Sequence, residues 1–154
     1  MEDRRVDQCG RRGVRTSRGC SRECPPPGSL RFFFDRSLGK SSASRLRAHG
    51  WTTHLIAEFY PDDAANVPDE VWIAEGCSRG WILLTKDKKI RYRAQELQAL
   101  ERGQLFCLAS GNLQLEQMAQ RFIDAEGAIL RAAARTPVGF WHVLEHGRVT
   151  RMWP

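Results

Sequence analysis

The chain has 154 residues, enough for one compact domain with a sizeable core and too few for two large ones. Its formal charge of +6 points toward an anionic partner such as RNA or DNA. No stretch approaches the roughly twenty apolar residues needed to cross a bilayer, and the N-terminus is charged where a signal peptide would be apolar, so a cytoplasmic protein without a membrane partner is expected.

Residues 1–28 carry seven arginines and the run Pro25-Pro26-Pro27-Gly28, with almost nothing apolar to bury. Such a segment cannot offset its chain entropy, and a disordered basic leader is expected there. Cys9, Cys20 and Cys24 all fall in this leader, but three cysteines leave zinc one ligand short and no histidine precedes His49. The odd total of five cysteines argues against a disulfide framework, and Cys77 and Cys107 sit inside apolar patterns as small core residues.

From Leu30 onward, strand and helix patterns alternate. Residues 30–34 form a short apolar run suited to a central strand, and residues 41–49 read as a helix that Gly50 stops. Residues 51–59 have a strand's composition, and Pro61-Asp62-Asp63 opens a loop lasting to Val67. Pro68 suits the first position of a helix because its missing N–H costs nothing there, and residues 69–78 place Trp72, Ile73, Gly76 and Cys77 on one stripe. Asp69 shares that stripe.

Gly80 ends this helix before a strand over residues 81–84. A short polar helix over 94–101 and a strand over 105–109 follow. The spacing of Leu115, Met118, Phe122, Ala125, Ile129 and Ala133 predicts one long helix over 113–134. Residues 140–144 and 149–153 flank His146-Gly147 and read as a terminal β-hairpin. Together these elements predict an α/β fold with a mainly parallel central sheet flanked by helices, in which residues 29–136 form the main body and 137–154 extend the same domain.

The acids fall at informative places in this pattern. Asp35 follows the first strand, Asp69 opens a crossover helix, and Asp87 follows the strand that this helix feeds. In an open parallel sheet, ligands collect at the carboxyl ends of the strands, where all three can meet. Two carboxylates about 4 Å apart repel by roughly 4 kcal/mol at an effective dielectric near 20, so such a cluster needs a cation or a shared proton. Oxygen ligands without nearby Cys or His select Mg²⁺ or Mn²⁺ over zinc. Each acid also has a purely structural explanation: Asp69 complements a helix dipole, and Asp35 can cap the turn that follows it.

Lys86, Lys88, Lys89, Arg91 and Arg93 form a basic stretch beside Asp87 with Tyr92 interleaved, a pattern suited to tracking RNA phosphates with one stacking ring. Arg36 and Lys40 can join that rim. His54 lies within a strand pattern and is expected to make a structural hydrogen bond rather than to serve as a base.

The segments Phe34-Asp35-Arg36-x-Leu38-Gly39, Asp69-Glu70-x-Trp72-Ile73 and Gly80-Trp81-Ile82-Leu83-Leu84-Thr85-Lys86-Asp87, in this order, resemble the PIN-like domain of VapC-type toxins over residues 30 to 110. The resemblance implies a Mg²⁺- or Mn²⁺-dependent ribonuclease, often the toxin of a toxin–antitoxin pair, with RNA as substrate, a cognate antitoxin as partner and a homodimer as a common assembly. It assigns Asp35, Asp69 and Asp87 as the metal-binding catalytic acids, and Thr85 as the hydroxyl that orients Asp87. Many PIN domains carry a further acid two residues after the strand-end aspartate, where this chain has Lys89. Glu70, Asp62 or Asp63 are candidates to supplement the set, and Lys89 can contact substrate phosphate instead. The departure also fits a catalytically degenerate module that binds RNA without cutting it. A phosphoacceptor receiver domain is a poorer match, because Thr85 and Lys86 are adjacent and no acid pair ends the first strand.

Overall fold

The computed structural model describes residues 30–110 and 112–154. The leader read over residues 1–28 lies outside them. The described chain runs β1 (Arg31–Phe34), α1 (Lys40–Ala48), β2 (Thr52–Leu55), α2 (Asp69–Ser78), β3 (Ile82–Thr85), α3 (Ala94–Ala99), β4 (Gln104–Leu108), α4 (Leu115–Asp124), α5 (Glu126–Arg135), β5 (Gly139–Val143) and β6 (Val149–Trp153), with short 3₁₀ turns between several of them. The strands form a single sheet in the order β2-β1-β3-β4-β5-β6, parallel throughout except for the final β5–β6 pair. The expected mainly parallel α/β sheet with a C-terminal antiparallel pair is therefore what the chain adopts.

Both faces of this sheet are covered, which is why its central strands β1, β3 and β4 read as near-continuous apolar runs rather than as alternating ones. Successive side chains go to opposite faces. Phe32, Phe34, Ile82, Leu84, Phe106 and Leu108 pack with Leu46 of α1, Phe122 of α4 and Ile129 of α5. Phe33, Leu83, Leu105 and Cys107 pack with Trp72 and Ile73 of α2 and with Ile90. The second face is approached closely at Gly76, where an added Cβ would lie 2.2 Å from a Leu83 methyl and 2.8 Å from the Phe33 ring. A glycine here lets α2, and Asp69 at its start, sit directly on the sheet.

Two elements differ from the sequence pattern. The second strand ends at Leu55, because Ile56–Glu58 winds into a 3₁₀ turn and the Glu58 carboxylate folds back to accept the Leu55 N–H at 3.2 Å. The long helix breaks at Ala125 (φ −94°, ψ 4°) into α4 and α5. The β5–β6 turn meets it there, since a Cβ on Gly147 would sit 2.6 Å from the Asp124 carbonyl oxygen. The apolar stripe passes through the break with Met118, Phe122, Ala125 and Ile129 all buried, so periodicity alone shows no interruption.

Candidate active site

β1 is the point at which the strand order reverses: the chain leaves it for β2 on one side and returns to β3 on the other. Crevices at such switch points, at the carboxyl ends of the strands, are where open α/β sheets bind ligands. Phe34 is level with Leu84, and the Asp35 N–H donates to the Leu84 carbonyl at 3.0 Å. Asp35 and Thr85 thus leave adjacent strands side by side.

Asp35 is held by two hydroxyls. Its Oδ2 accepts from Ser37 Oγ at 2.6 Å and from Thr85 Oγ1 at 2.7 Å. Ser37 lies in the turn that follows Asp35, so this carboxylate also ties strand to turn, as the capping explanation expects in part. Burial pushes the Asp35 carboxyl above its ordinary pKa, the two hydroxyl bonds pull it back, and the charge of Asp69 raises it further. Thr85 is fully buried, and its Oγ1 also accepts the Asp87 N–H at 3.0 Å. The hydroxyl bond expected between Thr85 and Asp87 is made to the Asp87 backbone, and the same hydroxyl also donates to the Asp35 carboxylate, because the parallel register sets it beside Asp35.

A second group of acids gathers around one guanidinium. Arg93 Nη1 lies 3.2 Å from Asp69 Oδ2, 3.4 Å from Asp87 Oδ2 and 3.0 Å from Glu96 Oε1. Asp69 is set by its own helix, accepting from Trp72 Nε1 at 3.0 Å, and the Asp87 Oδ1 accepts the Lys89 N–H at 2.9 Å. Lys89 thus serves Asp87 through its backbone. Glu96, in the first turn of α3, is only 5% exposed, and its Oε2 has no hydrogen-bond partner among the described residues. Burial raises its pKa, Arg93 lowers it, and the charges of Asp69 and Glu70 raise it again.

The structure therefore brings Asp35, Asp69 and Asp87 to one edge and adds Glu96, which reading the sequence missed. The available signal was the Arg93-x-x-Glu96 spacing, which lets a residue at the start of a helix pair with an acid in its first turn. Glu70 is half-buried next to Asp69, whereas Asp62 and Asp63 are exposed. Asp62, Asp63 and Ala64 all have positive φ, between 54° and 61°, a strained conformation for non-glycine residues that clusters at functional sites. Asp63 also lines a cleft of about 320 Å³ together with Phe34, Asp35, Arg36, Lys40 and Ile56.

Of the basic stretch, Lys88 and Lys89 are exposed, and Arg91 lies over the Tyr92 ring at 4.5 Å. Tyr92 is 71% exposed, while Ile90 nearby is fully buried and anchors the turn to the core. Lys86 is half-buried. Arg93 departs from the rim expected of it and faces the acids. His54, expected to make a structural hydrogen bond, lies 3.5 Å from Arg31 Nη1 and stacks on Trp81 at 4.1 Å with an interplanar angle of 8°. Burial pushes the Cys107 thiol up to about 12 and the Cys77 thiol up to about 11, so neither offers a thiolate nucleophile.

As they stand, no three His, Cys, Asp or Glu residues among those described are close enough to grip a metal ion together. The donor set itself suits one. It is all carboxylate oxygen, the hard chemistry that Mg²⁺ and Mn²⁺ take, and it includes a buried oxygen without a partner. No helix of the described chain is long and apolar enough to cross a membrane.

The family described as PIN like domain matches residues 30–110. A protein of Mycobacterium tuberculosis strain H37Rv, provisionally named ribonuclease VapC45, is 36% identical over 124 residues, covering 78% of this chain and 89% of that protein. No solved structure matches the chain.

Proposed function

From the premise that the chain belongs to the PIN-like domain family and is of the VapC type, we propose that it is a ribonuclease that hydrolyses RNA phosphodiesters with Mg²⁺ or Mn²⁺, acting in the cytoplasm as the toxin of a toxin–antitoxin pair. The observation that carries this reading is the meeting of Asp35, Thr85 and Asp87 at the ends of two adjacent parallel strands, with Asp69 and Glu96 facing the same edge. The relative's name supports the ribonuclease and toxin parts of it.

Asp35, Asp69 and Asp87, the acids that the family resemblance assigns, would hold the cation, with Glu96 facing the same edge. When bound, such a cation supplies a Lewis acid for generating the nucleophile and a counter-charge for the phosphoryl oxygens. The chain's own residues do the rest. Thr85 holds the Asp35 carboxylate and the Asp87 backbone with one hydroxyl, which fixes where the two acids leave their strands. Lys88, Lys89 and Arg91 bind the RNA backbone on one side of the acids, Arg36 and Lys40 on the other, and Tyr92 offers a base a stacking face. A cognate antitoxin acts by covering this edge, and the terminal strand pair suits a homodimer.

The test is cleavage of a structured RNA pool in Mn²⁺, in Mg²⁺ and in excess chelator, with Asp87→Asn in parallel. The reading expects cation-dependent cutting that the variant lacks. The second reading, an RNA-binding module without catalysis, is favoured by Lys89 and by the engagement of three acids with Arg93. It takes the lead if the wild type binds RNA and cuts in neither metal.

A further inference from the structure

Arg93 is the single point at which Asp69, Asp87 and Glu96 meet, and it meets them in an unusual way. A guanidinium normally engages carboxylates as a fork, with two parallel N–H···O bonds to one partner. Here one nitrogen, Nη1, stands among oxygens of three different carboxylates at 3.0 to 3.4 Å. That nitrogen carries two hydrogens for three acceptors, so the three carboxylates cannot each have a hydrogen of their own. One positive charge also faces three acids. As they stand the three acids are not close enough to hold a metal ion together, and the guanidinium occupies the point on which they converge.

Glu96 is the second, independent observation. It is 5% exposed, and its Oε2 has no partner among the described residues, while Oε1 has Arg93 alone. Burying a carboxylate with one of its two oxygens unpartnered is costly. An oxygen kept buried and unpaired beside an acidic site is placed for a ligand rather than for the fold. Arg93, in contrast, is 43% exposed along its side chain and has open solvent to move into.

We infer that Glu96 is a metal-binding carboxylate of this site and that Arg93 is a tethered competitor, bound to the same oxygens and displaced when a divalent cation takes them. The inference rests on the metal-site reading above. Metal–oxygen distances for Mg²⁺ are about 2.0–2.1 Å, shorter than the distances from Arg93 to these acids, so the three carboxylates must draw inward as the guanidinium leaves. The site then has an internal threshold: cation binding is weakened by the hold of Arg93 on the acids and rises when that hold is removed.

The experiment is Mn²⁺ binding to the full chain, followed by calorimetry and by the paramagnetic signal of free Mn²⁺, with circular dichroism confirming that each variant is folded. Arg93→Gln leaves the apolar core untouched and is expected to bind Mn²⁺ at least tenfold more tightly than wild type. Glu96→Gln, which keeps shape and volume, is expected to bind at least tenfold more weakly than its parent in both the wild-type and the Arg93→Gln background. The double variant decides between the two roles of Glu96. If it binds as tightly as Arg93→Gln alone, Glu96 only anchors Arg93 and the ligand assignment is overturned. An Arg93→Gln affinity no higher than wild type overturns the competition. Asp87→Asn runs alongside, and if it too binds like wild type, the underlying metal-site reading fails rather than this inference alone.

Discussion

Asp35 has one oxygen held by two hydroxyl donors, whereas Asp69, Asp87 and Glu96 share one guanidinium nitrogen. The two halves of the edge handle negative charge differently. Hydroxyls fix a carboxylate in place without neutralising it, so its charge remains available and its burial still penalises ionisation. A guanidinium neutralises, but it can be exchanged for another cation. One half is thus built to position and the other to be occupied, and substitutions should affect them in different ways.

Chemistry is where the halves should behave alike. Asp35→Asn and Asp87→Asn are each expected to lower cation-dependent RNA cleavage by on the order of 10³-fold, about 4 kcal/mol of barrier, in single-turnover assays. Loss in one variant alone would break the comparison by assigning the reaction to one half. Thr85→Val comes next in size. It removes a fully buried hydroxyl that serves Asp35 and the Asp87 N–H at once, and leaving such groups unpaired costs about 1–3 kcal/mol of stability by denaturant unfolding. Thr85→Ser keeps the hydroxyl and should recover most of that loss.

The positioning half was the more legible in the sequence. Phe32-Phe33-Phe34-Asp35 and Ile82-Leu83-Leu84-Thr85-Lys86-Asp87 are apolar runs ending in acids, and a parallel sheet forces their ends to one edge. Asp69 was legible because a helix start carries its own signals. Glu96 was not, since a single acid in a short polar helix looks solvated until the tertiary fold buries it against the acids of other elements. The role of Arg93 was hidden for the same reason. A run of five basic residues looks uniform, and only the 3₁₀ turn over Lys88–Tyr92, pinned by buried Ile90, turns the last of them inward. The break at Ala125 left no trace because the buried stripe continues across it.

Stability should then separate the halves in sign. A carboxyl whose folded pKa lies above its unfolded value favours folding fully below the unfolded value, and that contribution is lost as pH rises through the folded one. Asp35 is in this class because of burial. Near neutral pH its ionised form is a burden on the fold, so Asp35→Asn should stabilise the protein by on the order of 1 kcal/mol while abolishing cleavage, a trade-off common at functional sites. The gain should shrink as pH falls through the raised pKa and vanish below the ordinary carboxylate range, as followed by thermal melts from neutral to acidic pH. Asp87→Asn should show no such gain, because it gives up an ion pair with Arg93.

The smallest effect lies outside both halves, on the rim that separates them from the RNA backbone. Lys88 and Lys89 are exposed and take part in no ion pair among the described residues, unlike Arg93, whose charge is engaged by acids. Every lysine that neutralises a phosphate should add about 0.7 to the steepness of log affinity against log salt for single-stranded RNA. Lys88→Gln and Lys89→Gln, measured by fluorescence anisotropy in chelator so that no cutting occurs, should each reduce the slope by about that amount and leave the melting temperature unchanged. Additive slopes would put both lysines on the RNA path. A slope that does not move for either would mean that the RNA approaches from the Arg36 and Lys40 side of the cleft, nearer the half that positions Asp35 than the half that Arg93 occupies.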